Sequence, residues 1–171
     1  MTFMTAPRMA IAAALISALP LSGLALADES MLEDLAGEWT GIGKAQRRAD
    51  GPLEPIKCKI SSTLKAGGLE LGQSGRCATT DQTSSISGFI RFDPASGRYT
   101  GTWKTTADGK VADLDGSRIG ETIVFNAQER GGGASGRIEL IAGEGAGYVM
   151  RITSQTGGGP VSASEIVFSR R

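Results

Sequence analysis

Past Gly37, apolar and polar residues alternate in short runs broken by glycine and other turn residues. That is the period of strands with one buried face. Ten runs are legible: Glu38–Gln46, Ile56–Lys65, Leu69–Ala78, Ser85–Phe92, Arg98–Thr105, Val111–Ser117, Glu121–Gln128, Gly136–Ala142, Gly147–Gln155 and Val161–Arg170. In the second run Ile56, Cys58, Ile60 and Leu64 share one face, with Lys57, Lys59 and Lys65 on the other. Asp50-Gly51-Pro52, Ala66-Gly67-Gly68, Asp93–Gly97 and Asp108-Gly109 supply turns. No helical stretch of ten or more residues separates two runs, so βαβ crossovers are excluded. Sequential hairpins at this spacing favour a sandwich or a barrel. The one helical pattern is Ser30–Ala36, where Ser30 and Glu33 suit a capping box and Met31, Leu32 and Leu35 share a face.

The second and third runs predict their own register. With Gly67-Gly68 as a two-residue turn needing positive φ twice, Lys65 falls opposite Glu70 and Leu64 opposite Leu71. The same count brings Cys58 opposite Cys77, at a hydrogen-bonded position with Cα atoms about 5.5 Å apart. A bulge would ease the bridge and relieve Lys59 opposite Arg76. Two free thiols are the alternative to a Cys58–Cys77 disulfide.

The N-terminus carries an address. Arg8 precedes an apolar run from Met9 to Leu26, and Ala25-Leu26-Ala27 has the small-x-small form that a signal peptidase accepts. Residues 1–27 therefore read as a signal peptide, with Asp28 opening a single mature domain over 28–171. An uncleaved anchor is the competing reading, but Pro20, Ser22 and Gly23 interrupt the run. Cleavage leaves no stable membrane anchor and places the protein in the periplasm or outside the cell. An oxidising compartment favours the disulfide.

Charge and composition narrow the chemistry. Arg8 leaves with the signal, so 17 of the 18 basic side chains face 18 acidic ones. No basic patch suits nucleic acid. The chain has no histidine and only two cysteines, which removes His-based triads and Cys/His zinc sites. Asp113-Leu114-Asp115-Gly116 is a fragment of a calcium-loop pattern without its bidentate glutamate, and reads as a turn. No pair of carboxylates stands out for glycosidase chemistry. The expectation is a protein that is not an enzyme and needs no cofactor or metal. Tyr99, Gly101 and Trp103 alternate on one strand face. That face either packs a core or lines a cavity, and Tyr99 and Trp103 are the candidates for a ligand wall. Strand glycines such as Gly75, Gly88 and Gly101 leave space or accommodate curvature.

Gly37-Glu38-Trp39, following the short helix and opening the first strand, resembles the Gly-x-Trp signature of lipocalin and calycin barrels. The resemblance implies that Trp39 plugs one end of a barrel. It also implies that a late arginine covers the ring, with Arg170 the matching position and Arg171 the alternative. Leu35–Gly43, Ile56-Lys57-Cys58, Arg76-Cys77-Ala78 and Gly101-Thr102-Trp103 resemble small exported alphaproteobacterial proteins, mostly of unassigned function. The Ala-Gly-x-Trp opening and an early disulfide are also similar to periplasmic metalloprotease-inhibitor barrels. There the tail before the barrel enters the protease, which implies Asp28–Met31 here.

The reading is an all-β, antiparallel, up-and-down, calycin-like barrel of about eight to ten strands with a short N-terminal helix. Its expected function is to bind a small apolar or amphipathic ligand in the periplasm. The alternative is a periplasmic inhibitor of a protease or other envelope enzyme, with that envelope protein as its partner.

Overall fold

The computed structural model describes residues 31–46, 51–106, 109–143 and 147–171. The expected signal peptide with its cleavage residues Ala25, Ala27 and Asp28, and the expected cap Ser30, lie outside these. A helical turn at 31–34 leads into ten strands. They are β1 (Gly37–Gln46), β2 (Leu53–Lys65), β3 (Glu70–Ala78), β4 (Thr83–Asp93), β5 (Arg98–Thr105), β6 (Val111–Ile119), β7 (Thr122–Glu129), β8 (Ser135–Ala142), β9 (Gly147–Thr156) and β10 (Gly159–Arg170). Each pairs antiparallel with the next, and β10 returns to β1, so the sheet closes into an up-and-down barrel. Closure removes the free edges that an open sheet would present. Among the described residues no helix is long and apolar enough to cross a membrane.

Alternation supplies the core. Trp39 on β1, Cys58 and Ile60 on β2, Leu71 on β3, Ile90 and Phe92 on β4, and Tyr99 on β5 are buried inside. Phe125, Tyr148 and Phe168 complete the far wall. Met31, Leu32 and Leu35 from the N-terminal turn are buried with them.

The β2–β3 ladder runs without a bulge from Lys57↔Ala78 to Lys65↔Glu70, with Cys58 on Cys77 as expected. The turn itself differs from expectation. It spans Ala66–Leu69, with the Leu69 N–H donating to the Ala66 carbonyl at 3.3 Å. Ala66, Gly67 and Gly68 all have positive φ, at 51°, 67° and 96°. Four turn residues in place of two shift the hydrogen-bonding parity by one position. The cysteines then occupy a close, non-hydrogen-bonded pair, and their Cα atoms lie 4.0 Å apart in the disulfide.

Asp113–Gly116 is not a turn but part of β6. Leu114 and Gly116 face inward and the two aspartates outward. Asp113 accepts from Arg130 at 2.6 Å, and Asp115 pairs with Arg98. These hydrogen bonds hold both carboxyls below the usual aspartate range. The pairs are solvent-exposed and add little stability. No group of residues suited to a metal ion occurs among the described residues.

Candidate functional site

The two ends of the barrel are built differently. At the closed end Trp39 is 1% exposed. Its indole N–H donates to the Leu35 carbonyl at 3.0 Å. The Arg170 guanidinium lies 4.8 Å from the ring centroid and donates to the Asp34 carbonyl at 3.2 Å. Arg170 therefore clamps the N-terminal turn onto the plug, whereas Arg171 is exposed and bonds Glu38 only through its backbone N–H.

Gly37 explains the first residue of the Gly-x-Trp pattern. Its φ is +128°, and a Cβ there would sit 3.0 Å from Arg170 Nη1. Gly37→Ala is expected to cost about 1–3 kcal/mol through backbone strain and displacement of the arginine, measured as a lowered denaturation midpoint.

Above the plug the barrel is filled. Tyr148 packs edge-on against Trp39 at 5.0 Å and stacks on Phe168 at 4.6 Å. Burial raises the Tyr148 phenol well above its ordinary pKa, keeping it neutral. Tyr99 is fully buried between Phe92 at 4.9 Å and Phe125 at 6.4 Å. The cavity among Leu114, Phe125, Tyr148 and Phe168 is about 20 Å³, room for a single water. Tyr99 is thus core rather than ligand wall, a correction to the expectation from its shared face with Trp103. The face is shared, but four residues of strand separate the two side chains by about 13 Å along the chain. That distance takes the strand from the packed half to the open one.

The open half holds a cavity of about 350 Å³, within the range of small-molecule sites. Ile56, Ile86, Met150, Ile152 and Ile166 supply apolar wall, and Gln46, Thr79, Gln82 and Ser84 add polar groups. Ile86, Trp103 and Met150 also border the packed half, so they form the floor. Cys77 lies on the wall, which places the disulfide beside the cavity. Gly88 pairs with Trp103 across β4 and β5. A Cβ at Gly88 would lie 3.0 Å from the indole and 2.1 Å from the Thr102 carbonyl oxygen. The expected use of strand glycine for space therefore applies there.

On β10 the register slips between Ser162 and Ser164, leaving Ala163 as an extra residue. Such a bulge re-aims side chains, and both Ala163 and Ser164 line the cavity. Thr79 Oγ1, Trp103 Nε1 and Ser164 Oγ are the buried side-chain polar atoms with no hydrogen-bond partner among the described residues. All three residues belong to this one cavity. Sequence reasoning found Trp103 and missed Thr79 and Ser164. The available signal for Ser164 was a hydroxyl at the inward position of the alternation Ser164-x-Ile166-x-Phe168.

A closed antiparallel barrel, plugged at one end and hollow at the other, defines a calycin-like protein. The chain belongs to the DUF1579 family, described as proteins of unknown function, whose family model matches residues 26–139. No curated protein matches it in sequence. Among solved structures it is similar to the S-type phycobiliprotein lyase CPES from Guillardia theta. That match has a TM-score of 0.56 and 13% identity, over 86% of this chain and 97% of that one. It corrects the expectation that this protein is not an enzyme. A barrel of this fold is found in a protein titled a lyase, and lack of histidine removes particular mechanisms, not catalysis as such.

Proposed function

We propose that this protein is exported and, after losing residues 1–27, binds a small apolar or amphipathic molecule in the open half of its barrel. The observation that carries the reading is the contrast between the two halves. The chain fills one end with six aromatic rings and leaves about 350 Å³ beside a mostly apolar wall at the other. An empty apolar cavity forfeits dispersion contacts that a filled one would make, so a fold that retains one gains by occupying it. The signal-like N-terminus, the resemblance to small exported proteins and the Cys58–Cys77 bridge support export, since disulfides persist in oxidising compartments. The inhibitor reading is not favoured, because Met31, one end of the tail it would use, is buried in the core.

Native mass spectrometry of protein taken from the periplasm without detergent tests the reading. A reproducible added mass that disappears on denaturation is expected. Ala163→Phe, which fills the cavity from the β10 bulge, should abolish that mass while leaving the unfolding midpoint within a few degrees. A clean mass equal to the disulfide-bonded chain, with no affinity for apolar dyes, would refute it.

A further inference from the structure

We infer that the outer wall of the barrel around β2 is a docking surface for an anionic lipid bilayer. Its cations are Lys57, Lys59 and Arg76, and its apolar members are Ile42, Leu53 and Val167. The surface is separate from the cavity, and the inference does not depend on what the cavity binds.

Charge is the first observation. Elsewhere on the outer wall cations are matched to acids, as Arg91 is to Glu70, Arg98 to Asp115, Arg130 to Asp113 and Arg151 to Glu165. Lys57, Lys59 and Arg76 differ. All three are exposed, and none has an ion-pair partner among the described residues. Glu38, the outward acid of β1, pairs with none of them. Lys59 lies directly opposite Arg76, in a ladder without the bulge that would relieve them. Like charges so placed destabilise a sheet. An anionic partner offsets that repulsion.

Exposed hydrocarbon is the second. Among the described residues, three of the four exposed large hydrophobic side chains lie on this wall: Ile42 at 62%, Val167 at 53% and Leu53 at 45%. Ile42 sits between Lys57 on β2 and Val167 on β10, opposite both. Leu53 shares the outward face of β2 with the two lysines. Aliphatic groups beside lysines suit the boundary of a bilayer. There the hydrocarbon enters the acyl region and the ammonium heads reach lipid phosphates. Each cation near an anionic surface adds about fivefold in affinity. A bilayer also conforms to the convex wall of a barrel, whereas a protein partner must supply about 800 Å² of matching surface. Ile56 and Cys77, next to Lys57 and Arg76 in the chain, line the cavity. Docking on this wall therefore brings the hollow half of the barrel against lipid.

Co-sedimentation of the mature protein with phosphatidylcholine vesicles, with and without an equal part of phosphatidylglycerol, tests the inference. At low ionic strength the protein is expected to sediment with the anionic vesicles alone. High salt should release it by screening exposed charges. Lys59→Gln with Arg76→Gln should weaken binding about twentyfold. The denaturation midpoint should be no lower than that of wild type, since the pair relieves a repulsion. Ile42→Ser should weaken binding severalfold. Arg98→Gln with Arg130→Gln removes the same charge from the wall around β6 and should leave vesicle binding unchanged. Equal binding to neutral and anionic vesicles, no binding at low salt, or equal loss in the two double variants would overturn the inference. Salt-sensitive retention on polyglutamate without vesicle binding, lost in Lys59→Gln/Arg76→Gln, would overturn it in favour of an acidic protein partner. None of these outcomes touches the cavity reading, on which apolar-dye binding in solution reports separately.

Discussion

Trp39→Ala is expected to destabilise the barrel by about 3–5 kcal/mol, the range for deleting a large buried aromatic. The size follows from how many elements meet on that ring. Trp39 is 1% exposed and touches Tyr148 edge-on at 5.0 Å. Its N–H holds the N-terminal turn through Leu35, and its face holds Arg170 at the end of the last strand. Alanine would open a void at the closed end and release both chain termini of the barrel together. Equilibrium denaturation reads the loss directly. Trp39→Phe serves as the graded control. It retains most of the buried area but leaves the Leu35 carbonyl without its donor, and should fall between wild type and alanine. An unchanged midpoint for the alanine variant would refute the role of Trp39 as a plug.

The second large effect belongs to the bridge between β2 and β3. Replacing both cysteines, Cys58→Ala with Cys77→Ala, should cost about 3 kcal/mol by the chain-entropy estimate for a loop of this length. The bridge spans a sequence separation of 19. Cys58 is 1% exposed, so truncation also removes packing from the inner wall and adds to the entropic loss. Reduction of the wild type should lower the denaturation midpoint in the same direction, and the double variant should no longer respond to reductant. Because Cys77 borders the cavity, the same variant should also weaken apolar-dye binding. A midpoint that does not move on reduction would show that the ladder alone holds these strands.

Much of the architecture was legible from local pattern. All ten alternating runs became strands, because period-two alternation states which residues a strand can bury and leaves little choice of face. The register of β2 on β3 followed from a turn and a count, and placed Cys58 on Cys77. The count survived even though the turn type did not, because the two-residue and four-residue turns share the same centre. What changed was the parity of hydrogen bonding, which depends on three successive positive φ angles at Ala66, Gly67 and Gly68 that no pattern of alternation reveals. The aspartates of β6 show the opposite failure. Asp113 and Asp115 resemble turn residues, yet they are the outward half of an alternating strand, held by Arg130 just past the end of β7 and by Arg98 on β5.

The sequence by itself determined the strand order, the closing tryptophan and the cysteine pair. Each of these depends on alternation, on a nearby turn or on a short signature. Only the tertiary structure decided where the barrel is solid and where it is hollow. Inward-facing positions look alike along the chain, and whether one packs or lines a cavity depends on side chains arriving from strands far away in sequence. Tyr99 meets Phe92 and Phe125 and becomes core, whereas Trp103, on the same face, meets open space. The β10 bulge, which turns Ala163 and Ser164 together into that space, is likewise a property of paired strands. It exists only once β9 and β10 have set their register against each other.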